Sequence, residues 1–335
     1  MAVPSFAVPL PHRRLPVLTL YLTDRCNSRC ITCDYWRHGG IDLSPAAVDA
    51  LLPELKELGT ELVLLSGGEP LLNPEWAKIA ERLKSAGLEV WLLTSGLSLA
   101  KHARRAAEIF AAITVSLDGT DRETYAAIRG LDAFDKVCEG VRAAAGAVPL
   151  NLRVTVQRAN YRQLPAFVDL ARTLGARQVS FLAVDVVNAH AFGRASAASA
   201  ASAASAEPAL GAEDLPELER IIGRMERDYA AEFRSGFIAE SPLKLRRILQ
   251  YFGALRGRGG YPEVRCNAPE FSAVVDARGG VQPCYFIRGP EPASGDEGLR
   301  ARLESGPMSK LRADIRSGMR AECKTCVCSM WRELA

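Results

Sequence analysis

The sequence predicts an α/β protein: a partial (β/α)6 TIM-like barrel with a small C-terminal domain containing a β-hairpin. Three observations lead there. Between residues 15 and 184, short apolar runs rich in β-branched residues alternate with segments of helical period, the pattern of repeated βα units and a parallel sheet. The apolar runs are continuous rather than alternating, which suits strands buried on both faces. Six such units are too few to close a barrel built from eight, so an open, curved sheet is expected.

Strands are expected over residues 15–23, 61–66, 89–94, 113–117, 150–156 and 178–184. The first helix, 44–58, has Ser44 to cap it, Pro45 in its first turn, and an apolar face of Ala47, Val48, Leu51, Leu52, Leu55 and Leu58. Residues 74–86 start with Pro74 and stop at Gly87, the same punctuation. An Ala/Ser repeat over 195–206, within an insertion spanning 191–212, has no large side chain to bury and reads as a flexible connector or part of a lid. Helices at 215–229 and 243–255 follow. Residues 271–276 and Val281 then flank Ala277-Arg278-Gly279-Gly280, a β-hairpin with its turn at the glycines. The division expected is an N-terminal segment 1–14, a core 15–240 and a C-terminal unit 241–335.

A chain of 335 residues with 48% hydrophobic composition can bury one large core and a satellite. Its 42 basic and 39 acidic residues leave a net charge of +3 without a basic block, so no nucleic-acid surface is expected. No signal-peptide pattern and no apolar run near the roughly 18 residues of a membrane span occur, so no membrane association and a cytoplasmic location are expected. Thiols stay reduced there, and nine cysteines read better as metal ligands than as disulfides. Cys138 stands apart from the others on a helical pattern and reads as a small buried hydrophobe.

Four polar motifs fall just after strands, where βα folds place their functional loops. They are Cys26, Cys30 and Cys33 as CxxxCxxC; Gly67-Gly68-Glu69-Pro70; Thr94-Ser95-Gly96; and Ser116-Leu117-Asp118-Gly119. Zinc would require a fourth ligand beside the three cysteines, and His38 is the one nearby candidate. Three thiolates can instead hold a [4Fe-4S] cluster with one iron left open, since four are usually needed to complete it. Residues 23–33, Thr-Asp-Arg-Cys-Asn-Ser-Arg-Cys-Ile-Thr-Cys, resemble the cluster loop of the radical S-adenosylmethionine (SAM) enzymes, although Thr32 stands where that family usually has an aromatic residue. Gly67 to Pro70 match its GGEP motif.

The resemblance implies that SAM chelates the open iron through its amine and carboxylate. Gly67, Gly68 and Glu69 would receive the methionyl ammonium, and Thr94 and Ser116, with Arg153 on the fifth strand, would meet its carboxylate or ribose. It also implies a reductant such as flavodoxin or ferredoxin, and reductive cleavage of SAM to a 5′-deoxyadenosyl radical that abstracts hydrogen from a substrate.

The second cysteine group comprises Cys266, Cys284, Cys323, Cys326 and Cys328. The hairpin can bring Cys266 and Cys284 together, and the CxxC of Cys323 and Cys326 completes a four-thiolate set that by spacing alone also suits a zinc ribbon. Next to a radical SAM core it resembles the auxiliary-cluster domains called SPASM and twitch. Too few cysteines remain for the two clusters of the longer SPASM form, so the resemblance implies one auxiliary [4Fe-4S] cluster on Cys266, Cys284, Cys323 and Cys326, with Cys328 able to replace Cys326. Such a cluster can accept an electron, so net oxidation of a small molecule is the leading expectation. Few residues precede the first strand, leaving little room for a peptide-recognition domain; a maturase acting on a separately delivered peptide is the alternative. A redox-neutral decarboxylation or carbon–carbon bond formation, and a two-cluster electron carrier without catalysis, complete the set. No general base is assigned.

Overall fold

The computed structural model describes residues 14–37, 39–188, 190–194, 208–291 and 298–333. His38, nearly all of the N-terminal segment and the Ala/Ser repeat lie outside the described residues.

Six parallel strands follow the chain: β1 (Val17–Tyr21), β2 (Leu62–Ser66), β3 (Glu89–Thr94), β4 (Ala112–Ser116), β5 (Leu150–Val156) and β6 (Gln178–Ala183). They alternate with α1 (Pro45–Glu57), α2 (Trp76–Ser85), α3 (Leu99–Ile109), α4 (Arg122–Arg129), α5 (Phe134–Ala145) and α6 (Leu164–Thr173). The strand order is β6-β5-β4-β3-β2-β1. Every crossover therefore steps the same way, and with a common hand each helix lands on the same face of the sheet. The result is the curved, open arc of a partial barrel.

Local chemistry sets the boundaries. Ser44 Oγ accepts from Ala47 N at 3.2 Å to start α1. α2 starts later than its proline suggested, because Asn73 holds the turn before it: its Oδ1 accepts from Glu75 N at 2.8 Å, and its Nδ2 donates to the carbonyls of Leu22 and Leu43. Asp121 caps α4 by accepting from Thr124 N at 2.8 Å, and Gly130 ends it in the left-handed conformation at φ 73°. Cys138 is buried in α5.

Two features correct the expectations from sequence. Not every strand is buried on both faces: β1 is buried at four consecutive residues, but β5 alternates buried and half-buried residues along its length. Leu20, Leu65, Leu92, Val115, Leu152 and Val179 belong to the face buried in the core. The other face carries Thr19, Ser116, Arg153 and Ser180, of which Ser116 and Arg153 are half-buried while Thr19 and Ser180 are covered. The expected hairpin is present, but it joins the barrel sheet. β7 (Ser272–Val275) pairs in parallel with β1, Val17 opposite Ser272, and in antiparallel fashion with β8 (Val281–Gln282), so the ribbon extends the barrel sheet past its first strand.

Beyond β6 lie α7 (Leu215–Asp228), α8 (Ala230–Ser235) and α9 (Pro242–Leu255), with α9 packed on α7 and β6. The ribbon is preceded by α10 (Ala268–Phe271) and followed by α11 (Leu299–Glu304), α12 (Gly306–Arg316) and α13 (Ala321–Lys324). Among the described residues no helix is long and apolar enough to cross a membrane.

Candidate active site

The loop carrying Cys26, Cys30 and Cys33 leaves β1 and is gripped on both sides. On one side Gly68 N donates to the Thr23 carbonyl and Glu69 N to that of Arg25, both at 2.8 Å. A Cβ on Gly67, which sits at φ 126°, would strike the Thr23 carbonyl, and one on Gly68 would strike that of Arg25. The paired glycines thus admit the backbone of the cysteine loop, where the sequence suggested close approach to a ligand. Glu69 is fully buried. Its Oε1 accepts from Thr94 Oγ1 at 2.7 Å and from Leu71 N at 3.2 Å, and its Oε2 accepts from Ser95 N at 2.7 Å. Burial raises its carboxyl above the usual range, against the pull of these bonds. Glu69 and Thr94 therefore lock the ends of β2 and β3 together behind the loop.

On the other side the loop docks on the end of α4. Arg29 N donates to the Arg129 carbonyl at 2.9 Å and Ile31 N to that of Ile128 at 3.0 Å. A Cβ at Gly130 would collide with the Arg29 carbonyl, so the glycine that ends the helix also seats the loop. The Arg129 side chain is nearly buried; its Nη1 donates to Cys30 Sγ at 3.7 Å and its Nη2 pairs with Asp118 Oδ2 at 2.8 Å. Asp118 Oδ1 in turn accepts from Thr155 N at 2.7 Å. Burial alone would lower the Arg129 pKa, but the Asp118 and Cys30 charges outweigh it and hold the guanidinium firmly protonated. Sequence reasoning missed Arg129 and placed Asp118 only within a polar motif after the fourth strand. The signal available was a basic residue before a helix-ending glycine, which ordinarily marks a dipole interaction.

The three thiols are half-buried and free. Burial and their neighbours push Cys26 up to about 11 and raise Cys33 as well. Such thiols gain from a metal that displaces their protons. Of the remaining predicted residues, Ser116 and Arg153 face each other across β4 and β5, and Arg153 Nε lies 3.5 Å from Ser180 Oγ. Thr94 is registered with Val115 instead, on the opposite face of the sheet. The predicted set is therefore split: Ser116 and Arg153 line the open face, while Thr94 supports Glu69 from within.

Cys266, Cys284, Cys323, Cys326 and Cys328 all border one small cavity, together with Tyr285 and Met330. Asn267 N donates to the Met330 carbonyl at 2.9 Å and Arg332 N to Asn267 Oδ1 at 2.9 Å, tying the end of the chain to the residue after Cys266. Burial pushes Cys284 up to about 11 and also raises Cys326 and Cys328. Among the described residues, no three His, Cys, Asp or Glu side chains are arranged to hold a single metal ion. An all-thiol set around a shared space suits the soft ligand demand of an iron-sulfur cluster. Tyr285 reaches back to the barrel, its hydroxyl 2.8 Å from Thr19 Oγ1.

A second cavity, of about 370 Å³, is bordered by Asp24 and Tyr35 on either side of the first cysteine motif, by Arg278 at the turn of the ribbon and by Arg288 beyond it. Arg278 Nη2 pairs with Asp24 Oδ2 at 2.9 Å across it. The segment after β6 forms a third wall. A buried Asp185–Arg194 ion pair, with Asn188 donating to Asp185, holds Phe192 at φ 56°. The Phe192 carbonyl accepts from Asp34 N at 2.9 Å and its ring meets Phe286 edge-on at 5.8 Å.

Residues 20–171 match the radical SAM superfamily. That stretch forms a radical SAM-like domain. This domain contains the cysteine loop, Gly67 to Pro70, Asp118 and Arg129, and the superfamily implies a [4Fe-4S] cluster and SAM. Among curated proteins, the chain is 34% identical over 176 residues to a probable GTP 3′,8-cyclase of Saccharolobus islandicus, covering 51% of this chain and 57% of that protein. A protein of the same name from Sulfurisphaera tokodaii is 31% identical over 176 residues, 51% of this chain and 56% of that one. The chain thus spans a little over half the length of these relatives. Among solved structures, Streptococcus suis SuiB bound to S-adenosylmethionine superposes with a TM-score of 0.65 at 14% identity, over 94% of this chain and 72% of that one. Native anSMEcpe with bound AdoMet and a Cp18Cys peptide gives 0.63 at 17% identity, over 88% and 82%. These likenesses establish a shared fold, extending beyond the radical SAM domain into the C-terminal region.

Proposed function

We propose that the chain is a radical SAM enzyme that oxidises a small molecule by two electrons. In this reading the core, 15–240, starts the chemistry, and the C-terminal unit, 241–335, accepts the second electron on an auxiliary cluster. The carrying observation is the cavity itself: one wall comes from the loop of Cys26, Cys30 and Cys33, and another from the ribbon that bears Cys284. A substrate there would touch both the segment that bears the first thiols and the ribbon that leads to the second.

Cys26, Cys30 and Cys33 would hold the [4Fe-4S] cluster whose open iron binds SAM, and that pair, reduced by a flavodoxin or ferredoxin, supplies the hydrogen-abstracting 5′-deoxyadenosyl radical. Ser116 and Arg153 on the open face of the sheet are the polar groups available to the SAM carboxylate or ribose. Cys266, Cys284, Cys323 and Cys326 would hold the auxiliary cluster, with Cys328 at hand beside Cys326. The substrate loses one hydrogen atom, one further electron and a proton, which together make the two-electron oxidation. A dry, enclosed pocket protects such radicals from solvent.

A second reading, ring closure of a nucleoside triphosphate, is favoured by the name of the relatives at 34% identity and by Arg278 and Arg288 at the cavity, cations that suit a phosphate chain. The two readings separate on one experiment. Cys326→Ala protein, loaded with the first cluster, is incubated anaerobically with reductant, SAM and a substrate panel that includes GTP. Oxidation requires that 5′-deoxyadenosine still forms while conversion of the panel member used by the wild type is lost. Consumption of GTP by the wild type decides for cyclisation.

A further inference from the structure

We propose that Arg129, backed by Asp118, is a positioning residue that sets the reduction potential of the cluster on Cys26, Cys30 and Cys33; this rests on the radical SAM reading of that loop. Arg129 lies on α4, far from the cysteine motif in sequence, yet its Nη1 donates to Cys30 Sγ at 3.7 Å. Only 10% of its side chain and 6% of that of Asp118 are exposed, and the two pair at 2.8 Å. Burying a guanidinium and a carboxylate costs several kcal/mol of desolvation that a single ion pair does not reliably return. Arg129 Nε is buried with no hydrogen-bond partner among the described residues, so the pair is not an optimised structural salt bridge. What the arrangement does provide is a fixed positive charge against one of the three thiols, at the point where α4 also takes two backbone hydrogen bonds from the loop.

The chemistry follows from the charge. A cluster gains an electron on reduction, and hydrogen bonds and net charge at its sulfurs set how readily it does so. A guanidinium at Cys30 favours the reduced state. Asp118 moderates that effect: it anchors the guanidinium through Nη2 and places a counter-charge behind it. The backbone amide of Thr155 fixes Asp118 from β5, two residues beyond Arg153. The two residues therefore act in opposite directions on the same cluster.

The test is an anaerobic potentiometric titration of the reconstituted protein followed by electron paramagnetic resonance, with the first cluster identified as the one whose signal changes when SAM is added. The auxiliary cluster serves as internal reference. In Arg129→Gln the midpoint of the SAM-responsive cluster is expected to move to more negative potential, and in Asp118→Asn to more positive potential, with the auxiliary cluster unmoved in both. Should Arg129→Gln fail to retain iron, Arg129→Lys keeps the charge on a more compact head that loses the planar fork, and a smaller negative shift is expected. Unmoved midpoints in both Arg129 variants overturn the proposal and leave Arg129 a purely structural residue, and shifts of the same sign in Arg129→Gln and Asp118→Asn overturn it by removing the opposed action of the two residues. A wild-type protein without a SAM-responsive cluster overturns the radical SAM reading itself, a result distinct from an unmoved midpoint in protein that responds to SAM normally.

Discussion

At the level of single residues, Gly68 and Glu69 show how much of the site is support. A methyl group at position 68 would occupy the place of the Arg25 carbonyl, so Gly68→Ala must displace the loop that bears Cys26. Overpacking of this kind costs about 1–3 kcal/mol; a lowered midpoint of thermal unfolding together with reduced iron retention is the expected outcome. In Glu69→Gln the amide nitrogen faces a donor where an oxygen now accepts. Leaving one of those buried groups unpaired costs about 1–3 kcal/mol, measurable by denaturant unfolding of the apoprotein. The cysteine spacing and the Gly-Gly-Glu-Pro motif were legible in the sequence because each is a local pattern. Glu69's partners were not, since hydrogen bonds to Thr94 and Ser95 depend on how β2 and β3 are placed side by side. Arg129 was illegible for the same reason: a basic residue at a helix end has an ordinary explanation, and only the docking of α4 against the cysteine loop gives it Cys30 as a neighbour.

Among the elements, the six parallel strands and their helices were readable from periodicity, with boundaries off by one or two residues where caps and turns intervene. The β-hairpin was readable too, because Gly279 and Gly280 mark its turn. Its neighbour was not. A run of strand character does not name its partner, and the pairing of β7 with β1 is a contact between the two ends of the chain. The burial of β2 and β3 was also misread: Leu64, Trp91 and Leu93 make the runs look apolar throughout, but they are half-buried on the open side of the arc. The segment after β6 offers a test at this scale. Arg194→Met leaves Asp185 buried without its cation, which costs about 3–5 kcal/mol when a buried pair is broken. Local hydrogen exchange of residues 185–194 is expected to accelerate well before that of β6, because the segment makes its own hydrogen bonds, with Phe192 tying it to the cysteine loop and to Phe286.

Across the whole molecule, one continuous sheet connects the two thiol groups. β1 leads directly into the first, and β7 and β8, hydrogen-bonded to β1, lead into Cys284 of the second. The sheet thus anchors both cysteine-bearing segments to one strand, β1. Fully reconstituted protein is expected to hold about eight irons, and about four when Cys266, Cys284, Cys323 and Cys326 are replaced; bound zinc with about four irons in the wild type would show that the C-terminal thiols form a zinc site instead. The cleavage of SAM remains the most direct measure. Reconstituted wild-type protein is mixed anaerobically with dithionite and SAM, and 5′-deoxyadenosine is quantified alongside Cys30→Ala. Release of 5′-deoxyadenosine by the wild type and none by the variant is the expected result, whereas wild-type protein with a full first cluster that leaves SAM intact would contradict it.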